Sequence, residues 1–147
     1  MSDIVDKATR SRMMSRIRGK DTAIERSLRQ AIFAQGFRYR LHVVRLPGKP
    51  DIVFSKYRAV VFVHGCFWHG HSGCSLFHMP GTNTEFWKTK IIGNKARDAQ
   101  AQEQLKSLGW RIATVWECAL RGKDAAAVAK QLGGWLEDGT SEMEIRG

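Results

Sequence analysis

Two apolar runs separated by Ser55 to Arg58 constrain this chain more than any other feature. Ile52-Val-Phe54, entered through Pro50 and Asp51, and Ala59-Val-Val-Phe-Val63 contain no polar residue. Runs this short and this apolar read as buried strands, 51–54 and 59–63, joined by a turn. The other elements arrange themselves around the pair. Ile24, Leu28, Ala31 and Ile32 share one face of a helix that Asp21 can cap, that runs to Gln35 and that Gly36 can stop. Phe37, Tyr39, Leu41 and Val43 alternate with Arg38, Arg40 and His42, the pattern of a half-exposed strand. Thr84 can cap a helix from Glu85 that breaks near Gly93-Asn94, after which a longer segment runs from Lys95 to Leu108 and stops at Gly109. Arg111 to Trp116 is a further strand. Asp124 can cap a last helix with Val128, Leu132 and Trp135 or Leu136 facing inward. This order predicts a mixed α/β domain, a central mixed sheet flanked by helices. With no repeat or long linker in view, the expected organisation is a basic arm over residues 1–20, one domain over 21–138 and a tail over 139–147.

Charge narrows the partner. The 147 residues carry 24 Lys and Arg against 14 Asp and Glu, a formal net charge of +10. An excess of that size favours a polyanion, nucleic acid first. The excess is also clustered: Lys7, Arg10, Arg12, Arg16, Arg18 and Lys20 face only Asp3 and Asp6 in the first twenty residues. Lys88, Lys90, Lys95 and Arg97 form a second cluster. No apolar run approaches the roughly 20 residues of a membrane helix, and Met1 to Lys20 lacks a signal peptide's apolar stretch. The expected location is cytoplasmic, associated with the nucleoid.

An odd count of three cysteines without an export signal argues against a disulfide framework. Cys66, His71 and Cys74 lie within nine residues, and Cys118 follows the strand that ends at Trp116. Three thiolates and one imidazole complete the closed tetrahedral set of structural zinc. His69 competes with His71 for the fourth place. The alternative is a histidine-rich surface loop with unrelated buried cysteines.

Hydrolytic chemistry on a phosphodiester needs a carboxylate for Mg²⁺, a base for water and positive charge for the phosphorane. Asp51 places a carboxylate where a buried strand begins. His64 and His69 flank the exit of the next strand, and Glu25 can reach the same cleft from the first helix. Each also has a plainer reading: Asp51 as a turn residue, Glu25 as a solvated helix residue, His64 as a satisfied core histidine. Two further functions stay open on these grounds, a non-catalytic zinc module that binds DNA and a zinc hydrolase acting through His64 or His69.

The segments Asp3 to Arg12, Asp21-Thr-Ala-Ile-Glu25, Leu46-Pro-Gly-Lys-Pro-Asp51, Val63-His-Gly-Cys-Phe-Trp-His69, Thr84-Glu-Phe-Trp87, Gly109-Trp110 and Val115-Trp-Glu-Cys-Ala-Leu120 together resemble the very-short-patch-repair (Vsr) DNA mismatch endonucleases. The likeness spans nearly the whole chain. It implies a restriction-endonuclease-like fold and Mg²⁺-dependent nicking of double-stranded DNA on the 5′ side of the thymine in a T:G mismatch. Asp51 would then be the principal Mg²⁺ ligand, helped by the backbone carbonyl of Val63. His69 would act as general base or orient water, and Glu25 and His64 would support the metal's waters. Cys66, His71, Cys74 and Cys118 would hold structural Zn²⁺. Phe67, Trp68 and Trp87 would wedge into the base stack, though on the residues alone they also read as core aromatics, Trp87 above all; Lys88, Lys90, Asn94, Lys95 and Arg97 would track phosphates or base edges. The resemblance leaves room for other mismatch-repair proteins as partners, and one asymmetric lesion suits a monomer. Two departures stand out. The strand after Asp51 lacks the second acid and the lysine of related nucleases, and the loop from His69 to Cys74 differs from the family's histidine-rich version.

Overall fold

The computed structural model describes residues 23–122 and 125–147. The basic arm expected over residues 1–20 and the caps expected at Asp21 and Asp124 lie outside them. The elements are α1 (Ala23–Ala34), β1 (Arg40–Leu41), β2 (Ile52–Phe54), a 3₁₀ turn (Ser55–Tyr57), β3 (Ala59–His64), α2 (Thr84–Ser107), β4 (Arg111–Trp116), α3 (Glu117–Gly122), α4 (Ala125–Asp138) and β5 (Glu142–Ile145). Five strands form one sheet in the order β1-β2-β3-β4-β5. β1–β2 and β2–β3 pair antiparallel, and β3–β4 and β4–β5 pair parallel. The expected mixed sheet flanked by helices is what forms.

Period two along the central strands sorts their side chains onto two faces. Ile52, Phe54, Ala59, Val61, Ala113, Val115 and Ile145 pack with Leu28 and Ile32 of α1 and with Val128, Leu132, Trp135 and Leu136 of α4. Val53, Val60, Phe62 and Ile112 pack on the other face against Leu105 of α2. Both faces are therefore dry, which is why the two runs between Ile52 and Val63 contain no polar position. Among the described residues no helix is long and apolar enough to cross a membrane.

Five expectations change, the first being the cap at Thr84, which is instead the first helical residue behind Asn83. The strand expected from Phe37 to Val43 shrinks to Arg40–Leu41, because His42 turns the chain at φ 48°. The helix expected to break at Gly93-Asn94 is continuous from Thr84 to Ser107. A glycine inside a helix costs about 1 kcal/mol; here the next residue offsets it, since Asn94 Nδ2 donates to the Trp68 carbonyl at 2.8 Å. Ile91 and Leu105, one on each side of the glycine, are buried on the same helix. α3, a short helix directly after β4, has no counterpart among the expected elements. Finally, the segment expected as a tail over 139–147 contains β5, whose Met143 and Ile145 side chains pack on the α1 and α4 face while two glutamates face outward.

Candidate active site and metal centre

The parallel pairing of β3 and β4 builds the first cluster. His64 lies opposite Trp116 where the two strands end, so the chains leave the sheet side by side. Two residues further on each comes a cysteine, Cys66 and Cys118. Their separation in sequence vanishes in space, and the Cys118 N–H donates to Cys66 Sγ at 3.4 Å. His71 Nδ1 lies 3.5 Å from both Cys66 Sγ and Cys118 Sγ. Cys74 completes a group whose four ligand atoms all lie within 4.8 Å of one another, an arrangement that can hold a metal ion. Burial pushes the Cys66 thiol up, and its hydrogen bonds with the neighbouring thiols act in the same direction. Against the opposing effect of burial, the Leu76 amide, the Cys66 and Cys118 thiols and Arg146 hold the Cys74 thiol below its ordinary value. The supports come from outside the loop: Glu117 Oε1 accepts the Cys66 N–H at 3.2 Å, and the Gly147 N–H donates to Cys118 Sγ at 3.3 Å. Arg146 donates to the Ser72 carbonyl at 3.0 Å, so the chain beyond β5 is tied to the metal loop.

Gly70 decides between the two competing histidines. Its φ of +58° reverses the chain, and a Cβ there would meet Ile91 Cγ2 at 2.6 Å. His69 and His71, on either side of it, consequently point to different places. His71 joins the thiols and stacks on Trp116 with ring centroids 3.9 Å apart. His69 turns to α2 instead, where its Nδ1 lies 2.5 Å from Asp98 Oδ2.

His64 sits on the α2 face, two residues beyond Phe62 on β3, and its ring stacks on His69 at 3.9 Å with the planes 5° apart. Burial, then the neighbouring His69, pulls the His64 imidazole down to about 3, so it is neutral at neutral pH. His64, His69 and Asp98 form a second group with the spacing of metal ligands. They also line a cleft of about 330 Å³ together with Lys49 and Arg97.

Asp51 is held at the same end of the sheet, because β2 begins where its antiparallel partner β3 ends. The Asp51 N–H donates to the Val61 carbonyl at 3.1 Å, and Asp51 Oδ2 accepts the Val63 N–H at 2.7 Å. Asp51 is thus fastened to the residue immediately before His64. Glu25 arrives from the first turn of α1, and His42 stands between the carboxylates, with Nε2 3.7 Å from Glu25 and Nδ1 3.6 Å from Asp51. Glu25 and Asp51 are only 4% and 8% exposed, so neither fits the picture of a solvated charge. Sequence reasoning missed His42 and Asp98. One looks like the polar partner in an alternating strand, the other like a helix-surface acid.

The aromatic residues expected to wedge into DNA are partly enclosed. Trp68 is 6% exposed, while Phe67 and Trp87 are half-buried over it. The three rings stand edge to face, with centroid separations of 5.2 Å for Phe67–Trp68 and 5.6 Å from Trp87 to each. Along α2, Lys90 and Arg97 fall on one flank and Lys88 and Lys95 on the other, each pair seven residues apart. Asp98 lies between the flanks. Asn94 is engaged internally, donating to the Trp68 carbonyl and accepting from Arg97.

Comparison with known proteins adds what geometry cannot. The family model described as DNA mismatch endonuclease Vsr matches residues 2–75. The chain is 45% identical to the DNA mismatch endonuclease Vsr of Escherichia coli (strain K12), over 100% of this chain and 97% of that protein. The chain belongs to the Vsr DNA mismatch endonuclease family. It is also similar to proteins named type II nicking enzymes. One is V.NmeAIP of Neisseria meningitidis serogroup A, 48% identical over 84% of this chain and 87% of the other. Another is V.XorIIP of Xanthomonas oryzae pv. oryzae, 44% identical over 82% and 88%. As a Vsr-family member the chain is a DNA endonuclease, a hydrolase of phosphodiester bonds. The Vsr family match covers Glu25, Asp51, His64, His69 and the first three residues of the Cys–His cluster.

Proposed function

We propose that this protein nicks double-stranded DNA on the 5′ side of the thymine in a T:G mismatch, by Mg²⁺-assisted hydrolysis, and so initiates very short patch repair. It acts on the DNA of the cytoplasm as a monomer with a restriction-endonuclease-like sheet. The observation that carries this reading is the run Asp51–Val63–His64–His69–Asp98, in which each group touches or directly follows the next.

The Asp98 carboxylate faces His69 Nδ1, the contact that favours the tautomer with the proton on Nδ1 and Nε2 as the acceptor. His69 is then equipped to take a proton from the attacking water. His64, kept neutral by burial, offers a ring nitrogen rather than a repelling cation; its Nδ1 is buried without a hydrogen-bond partner among the described residues. Asp51 and Glu25 bring two nearly buried carboxylates together beside His42, oxygen donors of the kind a divalent cation takes. Mg²⁺ suits oxygen donors of this kind, and when bound it supplies Lewis-acid stabilisation of charge on the phosphate. A strand residue turns its N–H and C=O to the same edge, so the carbonyl of Val63 shares the edge on which its amide binds Asp51.

The Cys66–His71–Cys74–Cys118 set fits Zn²⁺. Bonds of about 2.3 Å to sulfur and about 2.0 Å to nitrogen at a tetrahedral angle put S and N about 3.5 Å apart. Those are the His71–Cys66 and His71–Cys118 separations. A set of four protein ligands leaves no open position, so this ion would hold the loop rather than meet the substrate.

Phe67, Trp68 and Trp87 form a braced wedge beside the cleft. Unstacking a base step costs a few kcal/mol, less where the pair is mismatched, so a wedge favours the lesion. Lys88, Lys90, Lys95 and Arg97 flank the site and can track phosphates. The test is a set of duplexes alike except at one pair. With Mg²⁺, nicking is expected at T:G at least about a hundredfold faster than at T:A or C:G, as about 3 kcal/mol of discrimination requires. Equal rates on all three would refute the mismatch reading.

Asp98 carries a separate prediction. Asp98→Asn should lower kcat roughly 10- to 100-fold with little change in KM, because the amide no longer fixes the His69 tautomer. The loss stays below the roughly 10⁴ of a buried triad carboxylate because the Asp98 side chain is 28% exposed. An unchanged kcat would remove Asp98 from the mechanism.

A further inference from the structure

We propose that His42 is a third ligand-bearing residue of the carboxylate site, and that its imidazole makes the site bind a first-row transition-metal ion such as Co²⁺ more tightly than Mg²⁺, the ion of the proposed hydrolysis. The inference rests on the reading of Asp51 as a metal ligand and extends it to a residue of different chemistry.

Glu25, His42 and Asp51 offer one ligand atom each, and the three lie within 4.8 Å of one another. The His42 contacts, 3.7 Å to Glu25 Oε1 and 3.6 Å to Asp51 Oδ1, are too long for hydrogen bonds. Both ring nitrogens are nonetheless buried, and neither has a hydrogen-bond partner among the described residues. An imidazole left in that state beside two carboxylates is short of one partner. The two close contacts use different ring nitrogens, so one cation would take one of them and draw the three groups, now within 4.8 Å of one another, together.

The backbone indicates that the position is built rather than incidental. His42 adopts φ 48°, in the left-handed region that histidine, like asparagine and aspartate, enters more readily than most side chains. It is kept there by its own N–H, which donates to the Asp51 carbonyl at 3.0 Å. One hydrogen bond therefore ties the imidazole-bearing residue to the residue whose carboxylate it faces. A nitrogen donor adds little for Mg²⁺, which prefers oxygen and its own waters. It adds more for Co²⁺, which stands above Mn²⁺ and Fe²⁺ in the affinity order and accepts imidazole readily.

The test is calorimetric titration of the zinc-loaded, full-length protein without DNA, using CoCl₂ alone and MgCl₂ alone. Absorbance in the cobalt–thiolate region is followed in parallel to confirm that the Cys–His cluster keeps its zinc. His42→Asn is the variant of choice, since asparagine tolerates the left-handed backbone; His42→Gln serves if it fails to fold. The wild type is expected to bind Co²⁺ at least about tenfold more tightly than Mg²⁺. The variant should lose about 10- to 100-fold in Co²⁺ affinity and keep its Mg²⁺ affinity within about twofold. A Co²⁺-to-Mg²⁺ ratio unchanged by the substitution would overturn the proposal. Asp51→Ala is the control for the reading beneath it: undiminished binding of both ions in that variant would remove Asp51 from the metal site, whatever His42 does.

Discussion

Replacing Asp51 by asparagine is expected to lower the nicking rate about a thousandfold or more, while affinity for a T:G duplex measured without cleavage stays within about threefold. The isosteric change isolates charge from shape. Asparagine fills the same volume at a position only 8% exposed, and its amide oxygen can still accept the Val63 N–H that Asp51 Oδ2 accepts now. The β2–β3 edge should therefore stay intact, which circular dichroism and thermal melting will report. What disappears is the negative charge. Next to Glu25, at 4% exposed, that charge makes the cluster attractive to a divalent cation. DNA binding is assigned to other groups, the aromatic wedge and the lysines and arginine of α2, so it has no reason to fall with it. A variant that nicks within tenfold of wild type would show that the buried carboxylate is structural and that hydrolysis proceeds elsewhere.

Much of this arrangement is legible in the amino-acid sequence, and the parts that are not share a physical cause. The runs at 52–54 and 59–63 are readable because a strand buried on both faces leaves no polar residue to blur its signal. Arg111 to Trp116 matches its expected bounds to the residue, with four consecutive buried positions at its centre. The four residues of β5 carry two glutamates and pair with β4 alone, so locally they look like a solvated tail. Gly93 misleads because helix propensity is a local quantity, whereas the Asn94 bond to Trp68 is a tertiary one. Cys118 is within reach: it follows the strand that ends at Trp116, and the parallel register of β3 and β4 then brings it to Cys66. The choice between His69 and His71 is not, since it turns on the backbone sign at Gly70. His42 and Asp98 carry no individual signature at all; each acquires one only from the partner that folding brings to it.

The second large effect concerns Cys118, the one member of the cluster outside the loop of residues 66–74. Cys118→Ser keeps the shape of the side chain but replaces a thiolate donor by a hydroxyl that binds zinc poorly. Zinc content, expected at one ion per chain in the wild type, should fall several-fold, and soluble yield should fall with it. The apparent contribution of a structural zinc site, about 10 to 16 kcal/mol, is as large as the whole stability of an ordinary domain. Nicking should fail in the fraction that stays soluble, because the proposal puts metal ligands and the general base on the same loop. His71 stacks on Trp116, Trp116 meets His64 edge-on at 5.2 Å, and His64 stacks on His69. Phe67 and Trp68 lie between Cys66 and His69, so a loop that lost its metal would lose the proposed wedge and the proposed base together. Unchanged zinc stoichiometry in Cys118→Ser would show that the β3–β4 register brings the two cysteines together without Cys118 being a metal ligand.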